Sequence, residues 1–201
     1  WSSDVCSSDL LDEGILLASV AYLGNRTPES LVALGAPASV PSGTPEVVVA
    51  QPAFEPYIGG AQSMGARIVS VPAGPDYAFP LDGMLRAITP NTRLVYVNNP
   101  NNPSGQPIAK EAIRRVAREA GHALVFVDEA YQDFLGENFL DEAATYPNVL
   151  IGRTFSKAFG LAGMRVGVMI ASPAVLTPIR KVMPLFNLNV VAVAEIGRAH
   201  V

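Results

Sequence analysis

The sequence predicts an α/β fold: a three-layer sandwich in which helices cover both faces of a mostly parallel β-sheet. Three observations lead there. From about Glu46 onward, short runs rich in β-branched residues alternate with helical stretches, the pattern of consecutive β-α units. The runs are almost wholly apolar rather than alternating, as strands buried on both faces are. Finally, the 201 residues are 49% hydrophobic and only 16% charged, enough apolar mass for one domain with a real core and too much for a disordered chain.

Taken in order, Val47-Val48-Val49-Ala50 reads as the first of these buried strands, and Glu55–Gly65 as a short helix closed by glycine. Arg67–Val71 is a second strand, Leu81–Ile88 a helical turn or two, and Thr92–Val97 a third strand, which runs into a loop dense in Asn and Pro. Ile108–Ala120 sets Ile113, Val116 and Ala117 on one face and its arginines elsewhere, an amphipathic helix stopped at Gly121. Ala123–Val127, Val149–Gly152 and Arg165–Ala171 complete the strands. Leu11–Pro45 has no clear period. It holds Gly24-Asn25-Arg26-Thr27-Pro28-Glu29 and a loose stretch rich in Gly, Pro and Ser.

The two ends stand apart. Trp1–Leu10 reads as the translation of a sequencing-adapter oligonucleotide, and Ile196–Val201 as the translation of its reverse complement up to a stop. The expectation is therefore that 1–10 and 195–201 are adapter-derived and that 11–194 is part of a longer domain, cut at both ends. Composition narrows the partners. A net charge of −4 without a basic block argues against nucleic acid. No apolar run reaches the roughly 18 residues a membrane span needs. One Cys in the whole chain leaves no internal disulfide and suits a reducing, cytoplasmic setting.

Ligands of open α/β sheets sit beyond the carboxyl ends of the strands, and three motifs fall at such ends. Asn98-Asn99-Pro100-Asn101-Asn102-Pro103-Ser104-Gly105 follows the strand Thr92–Val97. By itself it equally fits a loop of turn formers. Asp128-Glu129-Ala130-Tyr131 follows Ala123–Val127. An acid there caps or turns many chains, yet it can also hold a fixed negative charge against a cationic ligand nitrogen, with Tyr131 donating to the same ligand. The third run is Arg153-Thr154-Phe155-Ser156-Lys157-Ala158-Phe159-Gly160-Leu161-Ala162-Gly163-Met164-Arg165. A lysine among hydroxyls, aromatics and glycines is expected to be drawn out of water, which favours the neutral, nucleophilic amine. Ser156 and Arg165 could grip a phosphate together.

In this order the three motifs closely resemble the fold-type I pyridoxal-phosphate-dependent aminotransferases, and among them the histidinol-phosphate aminotransferase branch. The resemblance covers about Pro45 to Ala194. It implies the large, cofactor-binding domain of that fold with pyridoxal 5′-phosphate as cofactor. Lys157 would carry the cofactor covalently and then act as general base and acid. Asp128 would pair with the pyridinium nitrogen, and Asn102 and Tyr131 would bond the phenolic oxygen. Ser156, Arg165 and Thr154 would bind the phosphate. Phe54 would stack on the ring, while Tyr57 lines the substrate side or packs in the core. Lys157, Asp128 and Tyr131 are thus the expected catalytic residues. The partners implied are a small amino donor, a 2-oxo acid such as 2-oxoglutarate, and a second subunit of a homodimer.

The resemblance also implies a glycine-rich segment that opens a helix and cradles the phosphate. Gly24–Glu29 falls near the expected place but lacks a second glycine, and Pro28 removes a donor. Because the arm and small domain of that family have no counterpart here, these 201 residues are expected to be inactive alone. Two other readings share the cofactor: a phosphothreonine decarboxylase of the same branch, and a non-catalytic cofactor-sensing domain of a transcription regulator. A nicotinamide dehydrogenase is disfavoured, since no strand is followed by Gly-x-Gly-x-x-Gly.

Overall fold

A computed structural model describes residues 4–8, 11–24, 43–185 and 187–198. In chain order the elements are β1 (Asp4–Ser8), α1 (Leu11–Ser19, running into a π-helical turn Val20–Gly24), β2 (Glu46–Gln51), α2 (Pro56–Ser63), β3 (Arg67–Pro72) and α3 (Leu81–Ala87). There follow β4 (Thr92–Asn98), α4 (Lys110–Glu119), β5 (Leu124–Asp128), α5 (Leu140–Ala143), β6 (Val149–Thr154), β7 (Gly167–Ala171), α6 (Pro173–Val182) and α7 (Val190–Arg198). β1 and the end of α7 lie in the terminal segments set apart above.

The strands form one sheet in the order β1-β7-β6-β5-β4-β2-β3. β3, β2, β4, β5 and β6 are mutually parallel, whereas β7 runs antiparallel to both β6 and β1. The strand expected from Arg165 begins only at Gly167, because Arg165 takes a left-handed φ of 54°, which no extended strand accommodates. Every residue of β4 and β5 is buried, which is why their centres, Leu94–Val97 and Leu124–Val127, read as unbroken apolar runs.

The period of two splits the core into two layers. On one face, Val49, Tyr96, Phe126 and Leu150 pack with Ile15 of α1, Tyr57 of α2 and Leu176 of α6. On the other, Val48, Val95, Val125 and Ile151 pack with Met84 of α3 and with Ile113 and Val116 of α4. The expected sandwich is therefore present. α1 was not legible beforehand, although Leu11, Ile15, Ala18 and Tyr22 are buried at helical spacing and Asp12 and Glu13 supply an acidic first turn. α6 was likewise missed. It starts at Pro173 with Ser172 as N-cap, whose Oγ accepts from Val175 N at 3.4 Å.

Candidate active site

The carboxyl ends of β4, β5 and β6 lie side by side, and register brings the last residues of β4 and β5 level with Gly152, two residues before the end of β6. Asn98 of β4 stands opposite Asp128 of β5, and Asp128 opposite Gly152 of β6. Above these ends is a cavity of about 200 Å³. Its walls include all eight residues singled out from the sequence: Phe54, Asn102, Asp128, Tyr131, Thr154, Ser156, Lys157 and Arg165. They come from four separate stretches of chain, and only the fold makes them neighbours.

Asp128 is the buried acid of the site, at 2% exposure. Its Oδ1 accepts from Ala130 N at 2.9 Å and its Oδ2 from the Tyr57 hydroxyl at 2.5 Å. Burial pushes its pKa up to about 6, against the pull of those two donors. Tyr57, fully buried, stacks on Tyr96 at 4.3 Å between centroids and meets Phe54 edge-on at 5.7 Å. Of the two places open to it, Tyr57 takes the core, beneath the cavity rather than on its wall.

The Asn-rich loop is built by side chains that replace strand hydrogen bonds. Asn98 Oδ1 accepts from Asn102 N at 2.6 Å, Asn99 Oδ1 from Ile108 N at 2.8 Å, and Asn101 Nδ2 donates to Pro52 O at 3.1 Å. That last bond ties the loop to the segment carrying Phe54. Turn building and cavity lining therefore coexist in one motif, with the Asn102 side chain left to face the cavity.

The β6–β7 connection folds back on itself. Phe155 N donates to Val166 O at 3.1 Å and Leu161 N to Phe155 O at 3.0 Å. Thr154 is part of this turn: its hydroxyl donates to Val166 O at 3.4 Å and accepts from Ser156 N at 3.1 Å. With its proton so engaged, Thr154 shapes the loop that presents Ser156. The Ser156 Oγ itself is buried and has no hydrogen-bond partner among the described residues, an atom waiting for an acceptor. Arg165 Nη1 donates to Ala162 O at 3.1 Å.

One expectation needs correction. Lys157 is exposed, as is the whole run Lys157–Gly163, so its amine is not drawn out of water. The run lies in the β6–β7 connection, outside the buried strands, and its residues face solvent. The amine lies 5.4 Å from the centre of the Tyr131 ring. The sequence leaves the place of a phosphate-cradling helix open within Leu11–Pro45. Gly24 ends the π-helical turn, where an added Cβ would lie 3.0 Å from the Met64 sulfur, and Gly24 is not among the cavity-lining residues. Residues 25–29 fall outside the described residues. The helix whose first turn reaches the cavity is α1, through Leu11 and Asp12. An acidic first turn followed by apolar residues four apart was the signal that could have found it.

The sequence pattern of the aminotransferases of class I and II matches residues 32–200. The chain belongs to this family. Its members depend on pyridoxal phosphate, and the cavity accommodates that group in kind. A buried carboxylate stands at the sheet end, an unpartnered serine hydroxyl and an arginine lie in the β6–β7 loop, and a lysine is at the mouth. Among relatives, this aminotransferase chain is 45% identical to the histidinol-phosphate aminotransferase 2 of Ralstonia nicotianae over 177 residues, 86% of the chain and 46% of that protein. It is 41% identical to an aromatic amino acid aminotransferase of Nocardia farcinica over 156 residues, 74% of the chain and 44% of that protein. The crystal structure of the histidinol-phosphate aminotransferase from Clostridium acetobutylicum superposes with a TM-score of 0.77 at 22% identity, covering 94% of this chain and 52% of that one. That likeness shows a shared fold. The chain thus spans about half the length of the relatives it matches. No helix among the described residues is long and apolar enough to cross a membrane.

Proposed function

We propose that this chain supplies the cofactor-binding half of a pyridoxal-phosphate-dependent aminotransferase. The enzyme moves an amino group from a donor such as histidinol phosphate or an amino acid to a 2-oxo acid such as 2-oxoglutarate. The observation that carries this is the convergence of Lys157, Asp128, Asn102, Tyr131, Ser156 and Arg165 on one cavity. Bound there, pyridoxal phosphate supplies an aldehyde that takes up amines and a ring that withdraws electrons from the carbon beside them.

The chain's own residues have separable tasks. The Lys157 amine would hold the cofactor covalently and, when free, would take and return a proton at Nζ. Its exposure gives donors access to the same atom. Asp128 would offer its negative charge to the ring nitrogen and would favour that nitrogen's protonated form. Asn102 and Tyr131 would donate to the phenolic oxygen, Phe54 would pack against the ring, and Ser156 with Arg165 would bind the phosphate. Thr154 serves the phosphate indirectly, by holding the turn that aims Ser156.

The two sequence relatives named above are both aminotransferases by name, which favours the transaminase reading over decarboxylation and over cofactor sensing. The donor is settled by assay of the full-length enzyme with histidinol phosphate against aromatic amino acids. The full-length enzyme is proposed to be a cytoplasmic homodimer. The present chain is proposed to be inactive alone, in keeping with the exposure of Phe159, Leu161, Leu185 and Val190. The origin of 1–10 and 195–201 in one oligonucleotide is tested by resequencing the locus. For the site, borohydride reduction of the pyridoxal-phosphate-loaded chain followed by peptide mapping is expected to place the pyridoxyl group on Lys157. A label on Lys110 or Lys181 instead would overturn the assignment.

A further inference from the structure

Tyr57 is buried to 1% exposure, a place where phenylalanine would pack as well and where a phenol must find an acceptor. Backbone carbonyls are the usual choice; the Tyr22 hydroxyl, for instance, donates to Val175 O at 2.9 Å. Tyr57 instead donates to a carboxylate oxygen, Asp128 Oδ2, at 2.5 Å. The ring cannot swing away, because it is stacked on Tyr96 and set edge-on against Phe54. Tyr96 is anchored in turn through its contact with Ser19 Oγ at 3.1 Å.

We propose that Tyr57 is a positioning residue for Asp128: its hydroxyl fixes the carboxylate in one orientation at the cavity floor and holds it in the charged form. With Ala130 N on Oδ1, each oxygen has one fixed donor, and the remaining lone pairs are left for a cationic ligand nitrogen. Both burial and the neighbouring carboxylate push the Tyr57 pKa well up, so this residue remains a donor throughout the working range. The same hydroxyl counters the burial that raises Asp128. The other charged and titratable groups around Asp128 are Asp12 of α1, its chain neighbour Glu129, Tyr96, and Tyr131, Lys157 and Arg165 around the cavity. Among the described residues, no side chain of this group donates a hydrogen bond to the carboxylate. The role toward the ring nitrogen rests on the cofactor reading above; the hold on Asp128 does not.

The test compares Tyr57→Phe, which keeps the stack and loses the hydroxyl, with Tyr96→Phe, which removes the neighbouring buried hydroxyl. In the cofactor-free chain carrying ¹³C-labelled aspartate, the Asp128 carboxyl is expected to titrate about one pH unit higher in Tyr57→Phe and at the parental midpoint in Tyr96→Phe. Pyridoxal 5′-phosphate, followed by absorbance, is expected to bind the Tyr57→Phe chain about tenfold more weakly. In an Asp128→Asn background the same change is expected to add no further loss, the mark of an effect exerted through Asp128. A parental Asp128 midpoint in Tyr57→Phe, or an equal displacement in Tyr96→Phe, overturns the assignment. If the parental chain takes up no pyridoxal phosphate, the cofactor reading falls, while the titration still decides the role of Tyr57.

Discussion

Arg153 grips the wholly buried Glu129 with two donors on a single oxygen, Nε at 2.9 Å and Nη2 at 2.7 Å, while the other oxygen accepts from Phe139 N at 2.5 Å. The pair joins the ends of β5 and β6, one residue beyond Asp128 and one before Thr154, so it sets the spacing between the acid and the loop that presents Ser156. Removing the cation would leave a carboxylate with no exposed surface and no charge partner. Arg153→Met is therefore expected to lower the unfolding free energy by about 3–5 kcal/mol, with most of it recovered in the double variant Arg153→Met/Glu129→Gln. Urea unfolding measures both. A loss for Arg153→Met below about 1 kcal/mol, the range of exposed pairs, would show the bridge to be incidental.

Asp128 makes stability depend on pH in the direction opposite to most acids. Its folded-state pKa is raised to about 6 from an ordinary 3.8. Below pH 4 both states hold the proton; between 4 and 6 the unfolded chain releases it while the native chain keeps it. The native state then binds more protons, so stability falls as pH rises through that window and levels off above 6. The full effect is about 3 kcal/mol for a shift of this size. Glu46, Glu111 and Glu142, held below the usual carboxylate range by arginines and, for Glu46, by Thr89, slope the other way. The comparison is therefore the cofactor-free chain against Asp128→Asn. The variant is expected to gain on the parent from pH 4 to pH 6, and parallel curves would contradict the raised pKa.

The parallel core and the site were legible for the same reason: buried strands are apolar runs, and their last residues are polar only where something beyond the sheet requires it. Asn98 and Asp128 each interrupt an apolar run at its carboxyl end, and Arg153-Thr154 ends the run of β6. α1 was not legible because its neighbours on both sides lack any periodic pattern, and the glycine criterion pointed to Gly24 instead. The exposure of Lys157 was misjudged because composition reports neighbours in the chain, whereas Phe159 and Leu161 face outward in the fold. The Tyr57–Asp128 bond spans 71 residues, and no local pattern announces it.

Ser156 offers a test that separates binding from folding. Its Oγ is buried with no partner among the described residues, so Ser156→Ala removes an unmet polar group and is expected to leave stability unchanged or raise it by about 1 kcal/mol. The same change is expected to weaken pyridoxal 5′-phosphate by about tenfold while leaving the binding of phosphate-free pyridoxal at the parental level. An equal loss for both ligands would remove Ser156 from the phosphate site.

Gly152 lies where no side chain fits. A Cβ there would come within 2.4 Å of Leu11 Cδ1 and within 2.7 Å of Phe126 Cε1. The Leu11 methyl can yield, but the Phe126 ring is completely buried in β5, so the strain passes to α1, whose first residue is Leu11. Gly152→Ala is expected to cost about 1–3 kcal/mol, the range for overpacked cores. Because Leu11 also lines the cavity, pyridoxal 5′-phosphate affinity is expected to fall with it, although Gly152 is not itself among the cavity-lining residues. Shortening the obstacle isolates the cause: in the Leu11→Ala background the added methyl should cost less than it does in the parent, a coupling expected between groups in contact. Equal costs in the two backgrounds would place the strain on Phe126 alone and leave α1 unmoved.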